Sequence, residues 1–148
     1  MSMEQIQEKY MEFQMVDAQV NQIKEQLKAL DAQATELKNL SENLDELEKV
    51  SEDSESLIPV NSGVYLKGKI TDKKKVIINV GSNIMVEKDI ESAKHMVESQ
   101  INQISDVRVQ FVDEYKTTVK RAKALQKEII ALQSKQGARE GSQEGLQE

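Results

Sequence analysis

Residues 97–132 read VESQINQISDVRVQFVDEYKTTVKRAKALQKEIIAL, and this stretch decides the fold. Alternate steps of four and three residues trace one unbroken apolar stripe: Val97, Ile101, Ile104, Arg108, Phe111, Tyr115, Thr118, Ala122, Leu125, Ile129 and Leu132. Only Arg108 and Thr118 in this stripe are polar. A stripe that repeats about every 3.5 residues needs a partner helix, because one helix alone cannot bury it. The pattern predicts a coiled-coil helix over residues 90–135, a region without Gly or Pro.

The partner helix is predicted in the first fifty residues, since residues 1–58 also lack Gly and Pro. Their apolar stripe is Ile6, Tyr10, Phe13, Val16, Val20, Ile23, Leu27, Leu30, Ala34, Leu37, Leu40, Leu44 and Leu47. Steps of three follow one another at Phe13–Val16 and at Leu37–Leu40, which predicts local changes of supercoil within one helix over residues 4–50. We expect the two helices to pair antiparallel, with Ile6 near Leu132 and Leu47 near Ala93.

The middle of the chain, residues 57–88, has strand patterns in place of the helical period. It contains Pro59, the only proline, and apolar residues that alternate with polar ones on either side of two turn-like stretches, residues 71–74 and 81–83. This predicts two β-hairpins. A hairpin has too little apolar surface to be stable alone, and its edges offer unpaired N–H and C=O groups. Strand pairing between subunits, and therefore oligomerisation, is predicted.

Composition agrees with an extended fold. The chain has 148 residues, of which 31% are charged and only 3% aromatic, a composition typical of long paired helices. Residues 1–50 carry 5 Lys against 11 Asp and Glu, whereas residues 91–135 carry 8 Lys and Arg against 6 Asp and Glu. The predicted fold class is α+β, mainly α, with one domain over residues 1–135. The Gly-rich polar segment 136–148 is predicted to be a disordered tail.

Several classes of protein are disfavoured. The chain has no Cys and one histidine, His95, so neither a thiolate metal site nor a histidine cluster is expected. A net charge of −6 argues against general affinity for nucleic acid. No secretory signal or long apolar run is recognisable, which predicts a soluble, cytoplasmic protein. We expect no cofactor and no catalytic site.

One segment admits a different interpretation. Residues 63–69, GVYLKGK, fit the first seven places of a phosphate-binding loop, but the eighth place, which should hold magnesium through Ser or Thr, is Ile70. Such a loop must also open a helix, whereas this stretch alternates like a strand. A hairpin strand is favoured over a nucleotide-dependent enzyme.

The ends of the two predicted helices that lie far from the hairpins are rich in apolar residues. Met1, Met3, Ile6, Tyr10, Met11, Phe13 and Met15 crowd the start of the first helix, and Ile129, Ile130 and Leu132 crowd the end of the second. Met3, Met11 and Ile130 fall off the stripes. Two interpretations stand: flexible Met-rich surface that binds varied partners loosely, or an ordinary coiled-coil end with a few exposed methionines.

The order of helix, strand-rich middle and helix, with IPVNSGVYLKGK at residues 58–69 and KVIINVGSNIMVEK at residues 75–88, resembles the alpha subunits of archaeal prefoldin. The resemblance covers about residues 5–133, and its specific part is the middle segment. It implies a hexamer of two alpha and four beta subunits, in which the hairpins build a double β-barrel and six coiled coils project from it. The implied function is that of a holdase, which binds unfolded polypeptides without ATP and delivers them to a group II chaperonin.

The resemblance also implies roles for particular residues. The hairpin residues that would build the β-barrel are Val64, Leu66, Ile70, Val76, Ile78, Val80, Ile84 and Val86. The residues that would contact clients at the coil tips are Met3, Ile6, Tyr10, Met11, Phe13, Ile129, Ile130 and Leu132. The alternative is a structural or tethering coiled-coil protein that assembles through its hairpins and has no chaperone activity.

Overall fold

The computed structural model describes residues 3–144 and contains two long helices and two β-hairpins. Helix α1 spans Met3–Lys49 and helix α2 spans Ile90–Glu144. Between them lie strands β1 (Glu55–Asn61), β2 (Val64–Lys69), β3 (Lys75–Asn79) and β4 (Met85–Asp89). The predicted fold class, mainly helical with a central pair of hairpins, is confirmed. No helix in the described part of the chain is long and apolar enough to cross a membrane.

The chain divides into two compact units, each of which contains part of both helices. The first unit combines Met1–Leu30 with Val107–Glu148, and the second is Asp31–Asp106. The terminal part of each helix therefore belongs to the first unit. The parts that flank the hairpins belong to the second.

The hairpins of the second unit form two separate two-stranded antiparallel sheets, β1 with β2 and β3 with β4. In the first hairpin Ile58 pairs with Leu66, and in the second Ile78 pairs with Val86. The β3–β4 turn has positive φ at both Ser82 and Asn83, and the Ile84 N–H donates to the Gly81 carbonyl at 2.9 Å. This is the type I′ pattern, whose twist matches that of the strands.

The core of the second unit joins the helices to the second hairpin. Leu44 of α1 and Ile90, Ala93 and Val97 of α2 are buried together. The residues packed partly buried against them are Leu37, Leu47, Val76, Ile78 and Ile101. The expected neighbourhood of Leu47 and Ala93 is therefore present. The Ile90 N–H also donates to the Lys74 carbonyl at 2.8 Å, which fixes the start of α2 to the start of β3.

The buried stripe of α1 is a regular heptad from Ile6 to Leu44, after which a second step of three leads to the half-buried Leu47. Buried or half-buried residues occur at Ile6, Lys9, Phe13, Val16, Val20, Ile23, Leu27, Leu30, Ala34, Leu37, Ser41 and Leu44. Lys9 and Ser41 occupy places that the sequence pattern assigned to Tyr10 and Leu40, both of which are exposed. The sequence pattern predicted phase slips because it assigned these two stripe positions to the apolar Tyr10 and Leu40 and not to the adjacent polar residues. The structure keeps the period, since a shift would turn the whole following stripe away from its partner.

The second helix continues to Glu144 where the sequence predicts a disordered tail from residue 136. The heptad of α2 extends one step to Gln136, which is half-buried, and Ala138 and Arg139 line a cavity of about 300 Å³ together with Ile6. These contacts, and the helix formers around Gly137, offset the cost of glycine in a helix, about 1 kcal/mol relative to Ala. Residues 145–148 of the predicted tail lie outside the described residues.

Candidate functional site

The first unit pairs the terminal parts of the two helices. Val16, Val20 and Ile23 of α1 and Leu125 and Ile129 of α2 are buried there. Ile6 and Leu132 line one cavity, as the expected antiparallel register requires. The apolar stripes therefore meet along this unit.

Several large apolar side chains of this unit remain outside its core. Met3, Tyr10, Met11 and Met15 of α1 and Ile130 of α2 are exposed, with between 52% and 71% of their surface accessible. We call these five residues the helix-end surface. Large apolar groups outside a buried stripe contribute little to the packing of a helix pair, so they are available to a partner.

The residues predicted to contact clients divide into two groups. Met3, Tyr10, Met11 and Ile130 lie on the helix-end surface, whereas Ile6, Phe13 and Leu132 are half-buried and Ile129 is buried. Met15 belongs to the surface, although the prediction of client contacts omitted it. Its spacing of four residues from Met11 was the signal that could have included it.

A network of ion pairs connects the two helices in the same unit. The Lys9 Nζ lies 3.1 Å from the Glu128 carboxylate, and the Arg121 guanidinium donates to Glu12 Oε1 at 2.9 Å. The hydrogen bond from Lys9 to Glu128 raises the pKa of Lys9, and the hydrogen bond from Arg121 lowers the pKa of Glu12. These ion pairs join α1 to α2 through side chains other than the exposed methionines.

An open groove lies beside the network. Its volume is about 410 Å³, and its lining is Gln5, Glu8, Lys9, Glu128, Ala131, Leu132 and Lys135. The groove joins apolar surface from Ala131 and Leu132 to charged and amide groups at its rim. Such a surface accommodates a polypeptide, which has apolar side chains and a hydrogen-bonding backbone.

The hairpins present a second apolar surface. Leu57, Ile58, Val60, Val64, Tyr65, Leu66, Ile77, Val80, Ile84 and Met85 are all exposed. We call them the hairpin surface. On β1 and β2 consecutive residues are exposed, so both faces of the first hairpin lack cover from residues 3–144.

The predicted assembly residues likewise divide. Val64, Leu66, Val80 and Ile84 lie on the hairpin surface, whereas Ile70, Val76, Ile78 and Val86 are half-buried. Val76 and Ile78 pack on the chain's own helices, and Ile77 between them points outward with 71% of its surface exposed. The continuous apolar run Val76–Ile77–Ile78 was a signal that both faces of β3 are apolar.

The segment that resembles a phosphate-binding loop is part of the first hairpin. Gly63 lies in the β1–β2 turn with a φ of +80°, and Val64–Lys69 is strand β2. Because no helix begins there, its backbone N–H groups are not grouped as at a helix N-terminus. The strand interpretation is confirmed. His95 is an exposed residue of α2, and its Nδ1 lies 4.0 Å from Glu98.

Comparison with known proteins identifies the family. The model of the family described as "Prefoldin subunit" matches residues 16–135. The prefoldin subunit alpha of Methanococcus aeolicus is 28% identical over 142 residues, which cover 96% of this chain and 94% of that protein. The prefoldin subunit alpha of Pyrococcus horikoshii is 32% identical over 96 residues, covering 64% of this chain and 65% of that protein.

The fold has a counterpart among solved structures. A chain in the cryo-EM structure of filamentous PFD from Methanocaldococcus jannaschii matches with a TM-score of 0.70 at 24% sequence identity. The match covers 78% of this chain and 95% of that chain. Together, the family model, the archaeal alpha-subunit relatives and the shared fold show that this chain belongs to the prefoldin subunit family, whose members are chaperone subunits that assemble with other prefoldin subunits.

Proposed function

We propose that this chain is a subunit of an ATP-independent holdase, which binds unfolded polypeptides and delivers them to a group II chaperonin. The observation that carries the proposal is the helix-end surface, where three methionines, a tyrosine and an isoleucine are exposed together on one unit. Methionine is flexible and polarisable, and it suits surfaces that bind many unrelated partners.

In this proposal two groups of residues contact the client, one after the other. Met3, Tyr10, Met11, Met15 and Ile130 make the first contacts because they are already exposed. Ile6, Phe13, Ile129 and Leu132 become accessible when this part of the helix pair opens locally, since local opening costs less free energy than global unfolding. The groove beside Lys9 and Leu132 then widens around the bound segment.

Each contact of this kind is weak, and the proposal relies on several copies. Linking several weak sites raises the overall affinity through the effective concentration of the second site. Release then needs no nucleotide, because each contact breaks by itself. The chain would act by binding and release alone, without catalysing a reaction.

The hairpin surface is the proposed site of assembly. We expect two copies of this chain to combine with four beta-type subunits through strand pairing at the hairpin edges. The exposed apolar residues on both faces of the first hairpin support this proposal, since they leave surface for neighbouring strands to cover. A structural or tethering coiled coil would share this assembly surface and differ only at the helix ends.

The test is an aggregation assay on the purified complex with its partner subunits. A chemically unfolded model protein is diluted into the complex without nucleotide, and light scattering follows its aggregation. The test variant carries Gln at Met3, Tyr10, Met11, Met15 and Ile130, which keeps helix propensity and removes apolar surface. The control variant carries Gln at Val107 and Val109, which are also exposed but lie outside the helix-end surface.

We expect the wild-type and control complexes to suppress aggregation and the test complex to lose most of that activity. Equal suppression by test and control complexes would place client binding elsewhere. No suppression by the wild-type complex would refute the holdase proposal and favour the tethering alternative.

A further inference from the structure

The methionines of this chain are concentrated at one place. Four of the six occur in residues 1–15, and Met3, Met11 and Met15 have 71%, 65% and 67% of their surface exposed. Residues 3, 7, 11 and 15 form one row of i, i+4 neighbours along a helix, in which Gln7 is the non-methionine member. Three thioethers therefore lie in solvent along the first four turns of α1.

These side chains are not needed to hold the helices together. The buried stripe of α1 passes through Phe13 and Val16, and Met11 and Met15 lie on the opposite side of the helix. The ion pairs of Lys9 and Glu12 with α2 also involve other residues. A chemical change at the methionines can therefore alter the outer surface and leave the helix pair intact.

Exposed thioethers react with peroxides, and the reaction is reversible in proteins. The methionine sulfur attacks one oxygen of hydrogen peroxide, the O–O bond breaks, and a sulfur–oxygen bond forms. The released hydroxide takes the proton from the transferred oxygen and becomes water. Methionine is thereby oxidised to the sulfoxide, and the peroxide is reduced to water. The product is a polar side chain in place of an apolar one.

We propose that Met3, Met11 and Met15 form a reversible oxidation site, at which hydroperoxides convert the helix-end surface from a client-binding to a non-binding state. The proposal rests on the proposed function, because it assigns regulation to the same surface. Sulfoxide formation removes the apolar contacts that clients use and does not unfold the chain. Reduction of the sulfoxides restores the surface.

Two other methionines provide an internal comparison. Met96 of α2 is half-buried and is therefore partly shielded, whereas Met85 of β4 is exposed on the hairpin surface. Oxidation at Met85 would act on assembly and would not act on client contacts at the helix ends. The two effects are separable by measuring the mass of the complex.

The test uses the assembled complex and hydrogen peroxide. One complex contains the wild-type chain, a second contains M3L/M11L/M15L, and a third contains M85L. Leucine keeps the apolar, helix-forming character and cannot be oxidised in this way. Peptide mass spectrometry counts the oxygen atoms gained at each methionine, light scattering gives the mass of the complex, and the aggregation assay gives the apparent affinity for an unfolded model protein.

Each complex is compared with its own untreated sample, so that any effect of leucine on client affinity is measured separately from the effect of oxidation. After oxidation, we expect the wild-type and M85L complexes to gain oxygen at Met3, Met11 and Met15 and to lose about tenfold in affinity, equivalent to about 1.4 kcal/mol. The M3L/M11L/M15L complex should keep its affinity. Methionine sulfoxide reductase should restore the wild-type complex.

Three outcomes would overturn the proposal. The first is a failure of Met3, Met11 and Met15 to oxidise ahead of Met96. The second is an equal loss of affinity in the wild-type and M3L/M11L/M15L complexes, which would place the sensitive group elsewhere. The third is absence of client binding before any oxidation, which would overturn the proposed function as well and is visible in the untreated samples alone.

Discussion

Two polar residues in the buried stripe of α1 show how single side chains decide what this helix exposes. Lys9 and Ser41 take heptad positions, and their apolar neighbours Tyr10 and Leu40 are consequently directed outward. Lys9 forms an ion pair with Glu128, and its long aliphatic stem can lie along the stripe. The outward Tyr10 then becomes part of the helix-end surface.

The place of Ser41 in the stripe can be tested by substitution. We expect Ser41→Leu to raise the free energy of unfolding by about 1 kcal/mol, because a half-buried polar position would gain apolar contacts with α2. Thermal or urea unfolding of the complex measures this change.

The matched control is Leu40→Gln, since Leu40 is adjacent and 43% exposed. We expect its unfolding free energy to stay within about 0.5 kcal/mol of the wild-type value. A large loss in Leu40→Gln together with no gain in Ser41→Leu would mean that the stripe slips at Leu37–Leu40 after all.

At the scale of elements, one lysine joins the two helices near the hairpins. The Lys94 Nζ lies 2.8 Å from carboxylate oxygens of both Asp45 and Glu48. The hydrogen bond to Asp45 contributes most to raising the pKa of Lys94 above its usual value of 10.5, and the hydrogen bond to Glu48 raises it further. One α2 side chain thus contacts two successive turns on the same side of α1 and resists sliding of one helix along the other.

The pH dependence of this contact has a definite sign. Because the pKa of Lys94 is raised in the folded state, the stabilisation is fully present below pH 10.5 and is lost as the pH rises through the raised pKa. We expect Lys94→Met to lower the unfolding temperature slightly at neutral pH and to converge with the wild type in strong alkali or at molar salt. Identical pH profiles for the two proteins would contradict the assignment.

The end of α2 provides the second prediction at this scale. If residues 136–144 are helical, their amide hydrogens should exchange about tenfold more slowly than those of an unstructured peptide. Gly137→Ala should slow exchange further, since a Cβ there meets no atom within 4 Å and alanine favours a helix over glycine. Hydrogen exchange with mass spectrometry measures both. Amide hydrogens that exchange without protection in both the wild type and Gly137→Ala would support the predicted disordered tail.

At the scale of the whole molecule, the chain buries one set of apolar side chains within itself and leaves another set exposed. Val76 and Ile78 of β3 pack on the chain's own core, whereas Ile77 and many residues of the first hairpin are exposed in the described part of the chain. Members of the prefoldin subunit family assemble with other prefoldin subunits, and such subunits are the proposed cover for this surface.

The two faces of β3 predict opposite phenotypes. Ile78→Ala should lower the free energy of unfolding by about 1–2 kcal/mol, because it removes half-buried contacts, and should leave the mass of the complex unchanged. Ile77→Lys should weaken assembly with partner subunits and leave the fold of the chain intact. Urea unfolding and light scattering after dilution distinguish them, and a reversed pattern would mean that β3 faces the other way.

The helices and hairpins were predictable because their patterns are local. The heptad from Val97 to Leu132 indicates a helix that needs a partner, and the alternation around Val64 and Leu66 indicates a strand. The family resemblance implied a hexameric assembly, which stays a prediction. The family itself is confirmed.

Other features depended on contacts between segments distant in sequence. The sequence pattern placed Tyr10 and Leu40 in the buried stripe. Whether the apolar residue or its polar neighbour takes such a position depends on the partner helix, which a local pattern does not contain. It ended α2 at residue 135 because the contacts of Ala138 and Arg139 near Ile6 are not visible in a local pattern.

The sequence by itself determined the elements, their order and the family, because periodicity and turn residues act over a few neighbouring positions. Only the tertiary structure decided which apolar side chains are buried and which stay exposed, including the opposite faces of Ile77 and Ile78. The physical reason is that burial depends on the surface of a packing partner. For this chain that partner is the other helix inside the molecule and, in the proposed assembly, another subunit at the hairpin surface.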